Sequence, residues 1–88
     1  MKRHTHFTPS AWADYTYWQN QDRKTLKRIN TLIDATLREP FDGIGKPEPL
    51  MGNLVGFWSK RIDDVNRLVY AVDDVAITVI ACRGHYGD

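Results

Sequence analysis

The segment Lys46-Pro47-Glu48-Pro49 sets a carboxylate between two prolines, in a chain that has only two glutamates. Proline fixes its own φ and restricts the residue before it, so Glu48 is held rather than free to swing. A held carboxylate can act as a general base; the plainer alternative is a solvated loop charge. His85 and Tyr86 stand side by side near the end of the sequence. Imidazole titrates near neutrality and can donate a proton, and Gly84 ahead of it lets the backbone turn that ring over a sheet. The alternative is a histidine with no role. Arg67 opens a strand-like stretch, with Arg61 and Arg83 on what read as neighbouring strands and Lys46 and Lys60 close by. Such a grouping suits phosphate, because guanidinium forks make bidentate charge-assisted bonds. Salt bridging of Arg61 or Arg83 to one of the nine aspartates is the competing reading.

A carboxylate, an arginine, an imidazole and a phenol on a basic surface describe phosphodiester cleavage without a metal. The carboxylate would take the proton of a ribose 2′-hydroxyl, the arginine would stabilise the phosphorane, and the imidazole would protonate the leaving 5′-oxygen. That chemistry belongs to RNA, since DNA lacks the 2′-hydroxyl.

These groups have to be positioned by a small body. Eighty-eight residues leave room for one domain, 1–88, with a modest core. Lys plus Arg total 12 against 11 acids, a net +1, so any basic surface is a local patch. One cysteine excludes an internal disulfide, and with three histidines no Cys/His zinc cluster is expected, nor any cofactor. The first residues are too polar for a signal peptide and no apolar run is of membrane-spanning length, which reads as cytoplasmic, with no membrane partner.

Met1 to Phe7 alternates weakly, as a short polar strand. Thr8-Pro9-Ser10 starts a helix, with Thr8 as cap, and Ala11, Trp12, Tyr15 and Trp18 are expected on its inner face. Asp22 caps a second helix with a stripe of Leu26, Ile29, Leu32, Ile33, Thr36 and Leu37, which Pro40 ends. Residues 40–56 hold four glycines and three of the four prolines and read as a long ordered binding loop. Three strands follow, 57–62, 67–72 and 75–83, separated by turns at Asp63-Asp64 and Asp73-Asp74. The order β-α-α-β-β-β predicts an α+β two-layer sandwich, two N-terminal helices packed on an antiparallel sheet. Trp12 and Trp18 are expected in the core, Trp58 in the core or under a nucleobase, and Cys82 buried as a small hydrophobe.

The sequence resembles the Txe/YoeB toxins of the RelE-like superfamily, ribosome-dependent mRNA interferases. The resemblance spans nearly the whole chain. It is densest at Gly45-Lys46-Pro47-Glu48-Pro49-Leu50, Gly56-Phe57-Trp58-Ser59, Arg61-Ile62, Arg67-Leu68-Val69-Tyr70 and Cys82-Arg83 with His85-Tyr86. It implies a type II toxin that cuts the mRNA codon in the ribosomal A site. Glu48 would be the general base, His85 the general acid, Arg67 the phosphate stabiliser and Tyr86 an orienting or stacking group, with Lys46, Arg61 and Lys60 on the RNA backbone. The implied partner is a Phd/YefM-type antitoxin, which also carries any operator-DNA contact, and homodimers occur in the family. Met51 stands where relatives can carry a lysine, and Gly84 where some carry an aromatic. Rival readings are a toxin that acts by binding alone, like the superfamily's gyrase-poisoning branch, and a transcriptional co-repressor acting with its antitoxin.

Overall fold

Thr8, in extended conformation, accepts the Ala11 amide on its hydroxyl at 3.2 Å, and Pro9 takes the first helical position. Helix α1 then runs Pro9–Gln21. Asp22 ends one helix and starts the next. Its amide donates to the Trp18 carbonyl, and its Oδ1 accepts from the Lys24 and Thr25 amides, both at 3.1 Å, to open α2, Arg23–Arg38. The strands are β1 His4–Phe7, β2 Glu48–Pro49, β3 Trp58–Arg61, β4 Arg67–Val72 and β5 Ala76–Ala81. This computed structural model describes residues 3–85.

The five strands lie in the order β1-β5-β4-β3-β2. β3, β4 and β5 form the expected antiparallel meander, and the two aspartate turns close it. Asp63 Oδ1 accepts the amides of Val65 and Asn66, and Asp73 Oδ1 those of Val75 and Ala76. The sheet as a whole is mixed rather than antiparallel, because β1 lies parallel to β5, with His4 opposite Ala76 and Phe7 opposite Val79. A hairpin would force reversal; β1 instead reaches β5 only after two helices and three strands, a connection long enough to permit parallel pairing.

Both helices cover one face of this sheet. Ala11 and Trp18 from α1 and Ile29 and Leu32 from α2 pack with Leu68, Tyr70, Ile77, Val79 and Cys82. Trp18 Nε1 donates to the Cys82 carbonyl at 2.9 Å, and the Cys82 amide donates to Asp14 at 3.1 Å, which ties α1 to the end of β5. Cys82 is buried as expected. Trp12 is not: it is 52% exposed. At about 100° per residue, Ala11 and Trp18 share a face but Trp12 and Trp18 point about 120° apart, so the face that buries Trp18 leaves Trp12 at its side. Trp12 instead stacks on Tyr15 and meets Phe7 edge-on, with ring centroids 5.6 Å apart in both contacts.

The long segment after Pro40 is ordered, and it holds more regular structure than its composition promised: β2 and a 3₁₀ turn at Gly52–Leu54. β2 is an edge strand, where a proline without an amide is tolerated.

Candidate active site

Side chains alternate along β3. Trp58 and Lys60 face the helices, whereas Ser59 and Arg61 face the open side of the sheet. Register brings partners to them: Glu48 of β2 lies opposite Ser59, and Arg67 of β4 lies opposite Arg61. Lys46, Glu48, Ser59, Arg61, Arg67 and His85, with Pro49, Leu50 and Met51 at the lip, line one open cleft of about 310 Å³.

Turns and short ladders hold parts of the cleft in place. Arg67 Nη1 donates to the Asp63 carbonyl at 2.7 Å and the Asn66 carbonyl at 3.2 Å, so the guanidinium is oriented by the turn before its strand. The Arg67 amide donates to the Gly84 carbonyl at 2.9 Å, and the Gly84 amide donates to Asn66 Oδ1 at 2.8 Å. These two bonds hold the segment after β5 alongside the start of β4, continuing their antiparallel pairing. Gly84 has φ +88°, a conformation that favours glycine, and the next residue, His85, lines the cleft. On the far wall, Lys46 has φ +50°, and the amide of Leu50 donates to the Phe57 carbonyl at 2.9 Å, closing the short β2 ladder.

Five of the eight residues singled out from the sequence therefore meet: Lys46, Glu48, Arg61, Arg67 and His85. Tyr86 lies outside the described residues. Lys60 is corrected. It was expected on the RNA backbone, but it is fully buried under the sheet, because a strand cannot show Lys60 and Arg61 to the same side. Arg83 is exposed but away from the cleft, with its guanidinium carbon 3.6 Å above the ring of Tyr17. Trp58 is taken up by packing against Phe41, ring centroids 4.8 Å apart, rather than presented to a base. Sequence reasoning passed over Ser59 and Asn66. Ser59 was available from alternation, two residues before Arg61; the Asn66 side chain reaches Gly84 only in three dimensions.

The cleft can bind an anion and move protons. Arg61 and Arg67 occupy directly opposite positions on paired strands, where like charges repel, and a bound phosphate would relieve that repulsion. A carboxylate stands on one wall and an imidazole on the other. Among the described residues, no group of three or more His, Cys, Asp or Glu side chains is placed to hold a metal ion.

The profile of the YoeB-like toxin of bacterial type II toxin-antitoxin systems matches residues 7–86. The chain belongs to this family. Toxin YoeB from Synechocystis sp. is 56% identical over 80 residues, covering 91% of this chain and 93% of that protein. A YoeB dimer from Staphylococcus aureus superposes with a TM-score of 0.91 at 44% identity, covering 98% of this chain and 100% of that one. YoeB from the same organism also forms a heterotetrameric complex with the antitoxin YefM; it superposes with a TM-score of 0.88 at 44% identity, covering 98% and 100% of the two chains. The fold is thus the RelE-like sandwich of this YoeB family, with the mixed sheet described above. None of the described helices is long and apolar enough to cross a membrane.

Proposed function

We propose that this YoeB-family toxin is a ribosome-dependent endoribonuclease that cleaves mRNA in the A site. The observation that carries the reading is the opposed pair Arg61 and Arg67 in one cleft with Glu48 and His85. Lys46 and Arg61 hold the RNA backbone and bring the scissile phosphate to Arg67. Glu48 accepts the proton of the 2′-hydroxyl as its oxygen attacks phosphorus, and Arg67 stabilises the charge that grows on the equatorial oxygens. The P–O5′ bond breaks as His85, in its protonated form, delivers a proton to the leaving oxygen. The products are a 2′,3′-cyclic phosphate and a 5′-hydroxyl. Tyr86 orients or stacks beside the acid. Side chains carry both proton transfers, so the reaction is metal-independent and takes no cofactor.

In the cell the partners are the ribosome with its mRNA, and a Phd/YefM-type antitoxin that neutralises the toxin and contributes the operator-DNA contact. The YefM complex of the S. aureus relative supports the antitoxin, and the dimer of that relative supports self-association. Mapping mRNA ends on purified programmed ribosomes tests the reading. The parent chain should cut within the A-site codon, and Glu48→Gln should bind the ribosome but cut at least 10²-fold more slowly, the order expected for loss of a general base. A parent chain that leaves mRNA intact, or a Glu48→Gln chain that cuts at the parent rate, would overturn it.

A further inference from the structure

Lys60 runs from β3 into the layer between sheet and helices, and there its Nζ donates to the Glu39 carbonyl at 3.3 Å. Glu39 is the C-cap of α2. The last carbonyls of a helix have no partner within it and carry the negative end of its dipole, so a buried ammonium suits this place. Burial lowers the Lys60 pKa from its ordinary 10.5, and the carboxylates of Glu39 and Asp42 oppose that shift. Methionine would fill the same space without desolvating a charge. What lysine adds is a charged donor aimed at one carbonyl.

Two more ties act on the same stretch. Tyr70, also fully buried, donates its hydroxyl to the Pro40 carbonyl at 2.5 Å. The Arg61 amide donates to the Gly45 carbonyl at 2.6 Å. Gly45 lies so close beneath that a Cβ there would be 3.0 Å from Lys60 Cβ. Residues 39 and 40 are thus fixed from the buried side, and residue 45 by the β3 backbone, immediately ahead of Lys46 and Glu48. Lys46, at φ +50°, is the one non-glycine residue with positive φ among the described residues. Such a conformation persists where the surroundings over-determine it.

We infer that Lys60 and Tyr70 are positioning residues, a buried polar clamp that anchors the 39–45 segment so that Lys46 and Glu48 enter the cleft at a fixed height. The inference rests on the reading of Glu48 as the general base. Misplacing a reacting group by about an ångström can cost 10²-fold in rate, so a loosened clamp should act on chemistry before binding.

Lys60→Met and Tyr70→Phe test it, each in the parent and in a Glu48→Gln background, with two readouts. The first is amide hydrogen exchange, which does not depend on cleavage. The Arg61 amide should exchange at least tenfold faster in either variant, while the Val79 amide stays within twofold. The second is single-turnover cleavage of a programmed codon. In the parent background the rate at saturating toxin should fall about tenfold, with the half-saturating concentration within twofold. In the Glu48→Gln background the same changes should move the residual rate less than twofold. An unchanged Arg61 amide overturns the clamp, as does an equal rate loss in both backgrounds. A parent chain that does not cleave refutes the proposed function instead, and the exchange result then decides the clamp alone. Should Lys60→Met fail to fold, Tyr70→Phe carries both readouts.

Discussion

Replacing Gly45 by alanine should destabilise this protein in two separable ways. The backbone at Gly45 has φ +89°, which an L side chain adopts at a cost of about 1–2 kcal/mol. The new Cβ would also lie 2.8 Å from Leu32 Cδ2 and 3.0 Å from Lys60 Cβ. Neither neighbour yields freely: Leu32 and Lys60 are both fully buried, and a Cβ is fixed to its strand. Overpacking of this kind costs about 1–3 kcal/mol. The sum is about 2–5 kcal/mol, which in a domain of this size lowers Tm by on the order of 10–30 °C. Gly56→Ala is the control. Its φ is +99°, yet nothing lies within 4 Å of the added Cβ, so only the backbone cost of about 1–2 kcal/mol applies. Thermal melts by circular dichroism, with urea titrations to compare slopes, give both numbers. Equal Tm losses in the two variants would show that the space above Gly45 is not closed, and the packing argument would fail.

Other outcomes follow from the same geometry. His85→Gln should lower single-turnover cleavage about 10²-fold or more with ribosome binding near normal; unchanged cleavage removes His85 from the mechanism. Pro47→Gly with Pro49→Gly keeps the base but loosens it, and should slow cleavage on the order of tenfold, less than Glu48→Gln does. Hydrogen bonds from Thr25 hold the Asp22 carboxyl below its usual 3.8, and the Val75 and Ala76 amides do the same for Asp73. Their contribution to stability is present above the unfolded value and is lost as pH falls through the folded one. Tm should therefore be flat down to about pH 5 and fall below about pH 4, less steeply in Asp22→Asn with Asp73→Asn. Burial, with Asp14 adding to it, pushes the Cys82 thiol up to about 12. Iodoacetamide at neutral pH should then modify the folded protein about 10³-fold more slowly than the urea-unfolded one, and comparable rates would contradict that burial.

Local chemistry was the most legible part of the sequence. Thr8 and Asp22 announce their helices because a cap needs a specific oxygen at a specific offset, and the aspartate turns announce the hairpins for the same reason. Five residues of the cleft were legible too, since the types needed for acid–base attack on phosphate are few and the family resemblance names their places. Which way a side chain faces is set by residue count rather than residue type. Lys60 and Arg61 cannot share one role, because adjacent strand residues point apart, and helical phase separates Trp12 from Trp18. The parallel seating of β1 beside β5 is not legible in this way, because no short-range signal sets the direction of a strand separated from its partner by two helices and three strands. The Asn66 bond to Gly84 joins residues 18 apart in sequence, and nothing in either residue type predicts it.

The seating of β5 between β1 and β4 also bears on when this toxin becomes a toxin during its own synthesis. β5 is the last-made strand, yet it is the one that the first strand and α1 both require. Until it has emerged, β1 has no partner, and Trp18 has no Cys82 carbonyl 64 residues downstream to bind. His85 follows β5, so this cleft residue arrives after the strand that completes the core. Contacts of such long sequence separation form slowly, because loop closure comes before its reward. The cleft is therefore complete only once β5 is seated between β1 and β4.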